Sequence, residues 1–166
     1  MRQTHVEAPD RANVEFDLET PVPPAVVLAA AVDFSDRRPD LWPTIERRVY
    51  RVHARGDTWA EVTEGSRFLG TIWARERYDW STPGRVCATV LDSNVFRAGG
   101  TWELAATERE GRTKVTVTSR RHARGTRGRI LGTILSLAGP SILGGSLTRT
   151  LNLLAEGRST AGLTAR

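Results

Sequence analysis

The sequence of 166 residues has few side chains that bind metals or form disulfides. Its single cysteine, Cys87, excludes an internal disulfide framework and a cysteine-based zinc site. The three histidines, His5, His53 and His122, lack the spacing of metal ligands. No basic segment followed by an apolar one opens the sequence, so we expect a cytoplasmic location. We also expect no metal and no cofactor.

Lysine is nearly absent, and arginine carries almost all of the positive charge. The formal net charge is +5, yet residues 112–166 contain ten Lys or Arg residues and a single acid, Glu156. A basic half of this kind suits nucleic acid, an anionic ligand or a membrane surface. No nucleic-acid-binding motif is present, so no nucleic acid is expected, and a solvated basic face is the simplest interpretation.

Long uncharged runs are also scarce, with one exception from Ile130 to Thr148. Its nineteen residues are close to the roughly 20 that cross a bilayer, but they include four glycines, one proline and five hydroxyl side chains. The apolar residues recur at helical spacing. The run therefore predicts a long C-terminal helix over residues 127–154, interrupted near Gly139-Pro140, rather than a membrane span.

Most of the remaining chain alternates apolar and polar residues with the period of β-strands. The first strand is predicted over Asn13–Glu19, and Pro24 opens a short helix. A second short helix or irregular segment covers Asp33–Pro43. About six further strands follow as an antiparallel meander between Ile45 and Arg121.

The predicted order of elements is one strand, two short helices, a meander of strands and one long helix, which is an α+β domain. A sheet of this size twists and curls, and the terminal helix is the only element long enough to cover its concave face. We expect one domain over residues 13–157, with flexible tails at 1–12 and 158–166.

Four short segments give this order a family resemblance. They are the opening strand before Pro23-Pro24, Val32-Asp33-Phe34 to Leu41-Trp42-Pro43, Arg77-Tyr78-Asp79-Trp80 to Pro83-Gly84, and Gly111-Arg112-Thr113-Lys114-Val115. With their spacing, the chain resembles the START and birch-pollen-allergen-like helix-grip (SRPBCC) superfamily, within it the polyketide cyclase/dehydrase and lipid-transport group. The resemblance implies a curved antiparallel sheet of about seven strands that grips the C-terminal helix around a hydrophobic cavity.

The strand parity also names candidate catalytic residues. If the apolar parity faces the helix, Glu76 and Tyr78 enter the cavity on an otherwise apolar face. Burial favours the neutral form of Glu76 and suits it to acid–base catalysis, unless Arg121 lies close enough to keep it ionised. The alternative is a buried Glu–Arg pair that only holds strands together.

Ten residues are candidate ligand contacts. They are Tyr50, Glu64, Trp80, Trp102, Val115, Val117, Arg121, Leu131, Leu135 and Ile142. The aromatic members are equally well explained as core residues, and Glu64 lies near a turn where solvation is the simpler expectation. The arginines from Arg120 to Arg129 either attract an anionic ligand or lipid headgroup to the cavity mouth or form a solvated surface.

Three functions remain open on this basis. The leading one is binding or transport of a hydrophobic small molecule, such as a lipid or polyketide, by a monomer or homodimer. The alternative is a cyclase or aromatase that works without a cofactor through Glu76 and Tyr78. A second alternative is peripheral attachment to a membrane surface.

Overall fold

The computed structural model describes residues 10–68 and 70–163, with side chains as far as Gly157. These residues form a helix-grip domain of seven strands and three helices. In chain order the elements are β1 (Arg11–Thr20), α1 (Pro24–Ala31), α2 (Arg38–Leu41), β2 (Arg51–Arg55), β3 (Trp59–Arg67), β4 (Thr71–Asp79), β5 (Arg85–Ser93), β6 (Thr101–Arg109), β7 (Arg112–His122) and α3 (Gly125–Leu163).

The strands form one open, curved antiparallel sheet in the order β1-β7-β6-β5-β4-β3-β2. The fold class predicted from the sequence is therefore confirmed, including the two short helices after β1. The β6–β7 hairpin shows how local sequence sets the pairing. Glu110 and Gly111 have φ angles of 52° and 77°, which is the type I′ geometry that matches the twist of a two-residue hairpin.

One predicted boundary is wrong. The meander was expected from Ile45, but β2 begins only at Arg51. Residues 45–50 form turns instead, and the backbone N–H of Glu46 donates to the carbonyl of Gly65 at 2.7 Å. Every residue of β2 is exposed, so alternation there carries no information about burial.

The concave face of the sheet carries the core. Leu104, Val115 and Val117 point from β6 and β7 toward the helices and are at most 2% exposed. They pack with Leu147 and Leu151 of α3 in one buried cluster. Burial of this apolar face holds α3 against the sheet, because each large apolar side chain contributes about 1.5–3 kcal/mol.

The expected interruption of the last helix is also wrong, because α3 runs unbroken through Pro140. Gly139 serves close packing instead: a Cβ atom placed on it would lie 2.6 Å from Cγ2 of Val14 on β1. Pro140 is exposed on the other side of the helix. The backbone hydrogen bond that proline removes is thus lost where water can reach the free carbonyl.

By length and composition, α3 is the one helix in the described ranges that is apolar enough to cross a membrane, and 28% of its apolar window is buried. In this fold it is the helix that the sheet grips. The tail predicted at 1–12 lies mostly outside the described residues, which begin at residue 10. Its last two residues belong to β1, which begins at Arg11. Of the tail predicted at 158–166, the backbone is helical as far as Leu163, and residues 164–166 lie outside.

Two glycines of α3 offer a matched test of the close approach to β1. Gly145→Ala is expected to raise the free energy of unfolding by about 0.5–1 kcal/mol, because alanine favours the helix and no atom lies within 4 Å of the added Cβ. Gly139→Ala must displace the buried Val14 side chain and is expected to be about 1–3 kcal/mol less stable than Gly145→Ala. Urea denaturation of both variants measures this difference. Equal stabilisation by both would contradict the packing role of Gly139.

Candidate functional site

A cavity lies between the concave face of the sheet and α3, and it has two adjoining chambers. The inner chamber has a volume of about 270 Å³, and the outer chamber about 580 Å³. Residues from α3, β3, β4 and the loops beside them line both. The shared residues are Thr44, Ile45, Glu64, Ala74, Phe96, Leu135 and Leu143.

The walls of the inner chamber are mainly apolar and aromatic. Strands contribute Phe16, Trp102 and Val117, and α3 contributes Leu135, Leu143 and Leu147. Alternating residues of each strand face the helix, so strand parity places these side chains. This chamber can enclose a compact apolar group.

Charged side chains interrupt the apolar wall at the sheet. A carboxylate oxygen of Glu76 is paired with Nη1 of Arg121, and Oε1 of Glu64 is paired with Nε of Arg38. The side chains of Glu76 and Arg38 are only 7% and 4% exposed. Each buried charge therefore has an opposite charge beside it, because an unpaired buried charge is strongly unfavourable.

Tyr78 links the two ion pairs. Its hydroxyl donates to Oε2 of Glu64 at 3.0 Å, while Oε2 of Glu76 lies 3.5 Å away. A phenol has a single proton, so the shorter contact with Glu64 is the hydrogen bond and Glu76 keeps an oxygen that can accept another donor. We call Arg38, Glu64, Tyr78, Glu76 and Arg121 the charged network.

Strand register positions three members of this network. In the β3–β4 ladder Glu64 lies opposite Ala74, while Glu76 and Tyr78 follow on the same face of β4. A bulge interrupts the β4–β5 register immediately before Glu76. Such bulges re-aim the side chains beside them.

Arg121 reaches Glu76 from β7, two strands beyond β5 in the sheet. The curvature of the sheet brings both side chains to the same part of the concave face, and the guanidinium carbon of Arg121 lies 5.5 Å from the ring centre of Phe96. The close Arg121 contact that the sequence left open is therefore present. It places a positive guanidinium beside the Glu76 carboxylate.

Arg38 is the network member that sequence reasoning missed. It belongs to α2, and its Nη1 donates to the carbonyl of Ala31 at 2.9 Å. Its guanidinium lies 4.4 Å from the ring centre of Phe34 and 5.3 Å from that of Tyr78. Strand parity predicted that Glu64 faces the cavity, but no cation was assigned to it. A buried carboxylate needs a positive partner, and this requirement could have led to an arginine in the helices that follow β1.

Glu64 itself departs from the simpler expectation of solvation, because its side chain is 14% exposed. Of the other predicted contacts, Trp102, Val117 and Leu135 line the inner chamber. Leu131 and Ile142 line the outer chamber, which Leu135 also borders.

Three predicted contacts line neither chamber. Val115 is a fully buried core residue, and Trp80 packs against the cluster around Phe34 and Tyr78. Tyr50 packs there as well, and its hydroxyl is buried without a hydrogen-bond partner among the described residues. Burial raises the pKa of Tyr50 to about 12.

Two polar side chains of β7 have hydrogen-bonding capacity left for a ligand. Arg121 uses only Nη1, toward Glu76, and Ser119 makes no side-chain hydrogen bond within the described part of the chain. Both line the inner chamber, and their spacing of two residues puts them on one face. Among the same residues, no group of three or more His, Cys, Asp or Glu side chains is arranged to hold a metal ion.

Solved structures share this architecture at low sequence identity. The Zhui aromatase/cyclase from Streptomyces sp. R1128 superposes with a TM-score of 0.71 at 16% identity, covering 87% of this chain and 94% of its own. A START superfamily protein from Mycobacterium smegmatis gives 0.62 at 13%, covering 89% and 96%. Norcoclaurine synthase from Thalictrum flavum gives 0.63 at 9%, covering 89% and 96%.

No protein-family model matches the sequence, and no curated protein matches it either. The structural similarities therefore establish the fold alone. They confirm the START and birch-pollen-allergen-like helix-grip fold that the sequence resembles.

The two tyrosines of this chain make their surroundings measurable by pH titration. Burial, and then the charges of Glu64 and Glu76, raise the pKa of Tyr78 well above its ordinary value. In the folded protein we expect no tyrosinate absorbance at about pH 10, where unfolded tyrosines titrate. Because the unfolded state releases these protons first, the contribution of the two tyrosines to the free energy of unfolding should be constant up to about pH 9 and fall above about pH 10.

Single variants assign the signal, since Tyr50→Phe leaves Tyr78 as the only tyrosine and Tyr78→Phe leaves Tyr50. Ionisation of either tyrosine near pH 10 in the folded protein would contradict the buried positions described above.

Proposed function

We propose that the protein binds a hydrophobic small molecule with a neutral, oxygen-bearing end. One observation carries the proposal: a largely apolar cavity meets a charged network at the sheet. A carrier of purely apolar molecules gains nothing from charges at this position, whereas a ligand with a polar end can use them.

The charge balance argues for a neutral polar end. Glu64 and Glu76 carry two negative charges, and Arg38 and Arg121 carry two positive ones. A charged ligand adds a charge without a partner, and an unpaired buried charge is strongly unfavourable. A carbonyl or hydroxyl group adds none.

The free donors specify how that end is oriented. The unused N–H groups of Arg121 and the hydroxyl of Ser119 suit a carbonyl oxygen. The free Oε2 lone pairs of Glu76 suit a ligand hydroxyl. The outer chamber, lined by Leu131, Ile134 and Ile142, then holds the apolar remainder.

The structural neighbours support this proposal at a coarse level. One of them is named as an aromatase/cyclase and another as a START superfamily protein, and both hydrophobic ligand binding and cyclase activity agree with the shared fold. The predicted ligand contacts that line the cavity are the residues we propose for binding: Glu64, Trp102, Val117, Arg121, Leu131, Leu135 and Ile142.

A second candidate function is cyclisation of a polyketide without a cofactor, and the pairing of the Glu76 carboxylate with Arg121 on the cavity wall favours it. The ionised Glu76 carboxylate would accept a proton from the carbon beside a ligand carbonyl, and Arg121 would stabilise the enolate oxygen. That carbon then attacks a second carbonyl to close a ring, and the new alkoxide oxygen takes the proton back from Glu76. Tyr78 keeps its proton because its pKa is raised, so it holds the two carboxylates apart rather than acting as a base.

Filling the inner chamber tests the binding proposal. Ala74 lines both chambers, so Ala74→Trp is expected to displace ligand and lower the affinity for a fluorescent hydrophobic dye by about tenfold or more. Native mass spectrometry should show a co-purified hydrophobic molecule on the wild type and less on this variant. Ala105→Trp is the control, because Ala105 is half-buried on β6 with the opposite parity. Equal dye binding by wild type and Ala74→Trp would overturn the proposal.

Glu76→Gln tests the cyclase candidate with a linear poly-β-ketone as the substrate. Loss of the base is expected to lower the rate of ring formation by about 10²-fold or more. Glu61→Gln is the matched control, since Glu61 is also paired with an arginine, Arg75, but on the outer face of β3. Equal rates for Glu76→Gln and wild type would exclude this mechanism, whereas unchanged ligand binding would leave the binding proposal intact.

A further inference from the structure

Exposed apolar side chains cluster beside the outer chamber. Seven large hydrophobic side chains are exposed among the residues described. Four of them lie on the β3–β4 hairpin and the first half of α3, namely Phe68, Ile130, Leu137 and Ile142, and Leu137 is 82% exposed. This clustering separates them from single exposed apolar residues, which are ordinary on protein surfaces.

The hairpin and the helix are fastened together at this position. Nη2 of Arg127, near the start of α3, donates to the carbonyl of Thr71 at 2.9 Å and lies 2.9 Å from the position of a Cβ on Gly70. Phe68 is therefore held beside the helix. Phe68 and Ile142 both line the outer chamber.

Two exposed residues of the helix, Ile130 and Leu137, share one face with the half-buried Ile134. Ile130, Ile134 and Leu137 are spaced i, i+4 and i+7, so they lie on one face of α3. Ile134 also lines the outer chamber, which joins this face to the cavity opening. We call Phe68, Ile130, Ile134, Leu137 and Ile142 the mouth patch.

Basic side chains accompany the patch. Arg47 and Arg67 line the outer chamber together with one mouth acid, Glu46, and with Glu64, which is already paired with Arg38. Arg67 makes no ion pair within the described chain. Both side chains of the Arg47–Asp40 ion pair are exposed, so the pair contributes little to stability.

Apart from Arg121, the arginines that the sequence suggested for a headgroup site line neither chamber. Arg124 is paired with Asp92 at 3.3 Å and Arg129 with Asp10 at 2.9 Å, while Arg121 belongs to the charged network. The positive charge at the mouth therefore comes from the loop before β2 and from the hairpin.

We propose that the mouth patch docks on the surface of an anionic lipid bilayer. Its apolar side chains would enter the boundary between headgroups and acyl chains, and Arg47 and Arg67 would extend to the lipid phosphates. A second copy of the chain fits this surface less well, since it would close the opening through which ligand enters. Two copies would also bring like-charged arginines together.

This inference does not depend on the identity of the ligand or on catalysis. Docking at the mouth would place the opening of the outer chamber against the source of an apolar ligand. Failure of ligand binding and failure of membrane docking are separate results, because vesicle binding needs no cavity occupant.

Co-sedimentation of the full chain with vesicles tests the proposal. One vesicle preparation contains phosphatidylcholine alone and the other an equal mixture of phosphatidylcholine and phosphatidylserine. The wild type should bind the anionic vesicles at low salt and release them at high salt. Leu137→Glu and Arg67→Glu should each lower the partition coefficient by about tenfold.

Two control variants test whether vesicle binding depends on the mouth patch itself. Leu153→Glu changes an exposed leucine near the other end of α3, and Arg109→Glu changes an exposed arginine at the far end of β6; both should bind as the wild type does. No binding to anionic vesicles at low salt would overturn the proposal, as would equal binding by wild type and Leu137→Glu. A dimer in solution that Leu137→Glu converts to a monomer would assign the patch to self-association instead.

Discussion

The need to compensate buried charge governs the centre of this protein. Glu64 and Glu76 face the same apolar cavity, and neither is tolerable there as an ion without a cation beside it. Arg121 meets Glu76 only because the sheet curves enough to bring β7 toward β4. Arg38 meets Glu64 only because α2 lies over the end of β3. Loss of one partner from such a pair costs about 3–5 kcal/mol, so the ion pairs tie the curvature of the sheet and the position of the helical cover to the same site.

The charged network also makes the two ends of the cavity differ in polarity. Leu131, Ile134 and Ile142 line the outer chamber, and the charged network lies at the sheet. Because the four charges cancel in pairs, the polar end of the cavity offers directed hydrogen bonds without a net charge. The proposed ligand, an apolar molecule with one oxygen-bearing end, would fit this gradient in a single orientation. Orientation is what a carrier needs for selectivity and what a cyclase needs to bring two carbons together.

Strand parity decided which residues of the site could be predicted from the sequence. It put Glu64, Glu76 and Tyr78 on one face because the period of a strand is two, and the structure brings them together. It failed for Tyr50, which lies in a turn region before β2 where no ladder fixes the direction of side chains. It said nothing about Arg38, whose position depends on the tertiary path of α2. The predicted helix interruption at Gly139-Pro140 was wrong for another reason. The tendency of this dipeptide to break a helix is outweighed by the close packing of α3 on Val14 that Gly139 allows.

Stability alone does not account for the charged network. Apolar side chains of similar volume often replace a buried ion pair with no loss of stability and sometimes with a gain. We therefore propose that the charged groups of this cavity serve mainly the chemistry of the space they face. Arg121 and Ser119 face the cavity and keep hydrogen-bonding capacity that no described side chain uses, and polar groups that face such a space normally find a partner there. In an apolar cavity of this size, that partner is water or the polar end of a bound molecule, and only the second also fills the chambers beyond it.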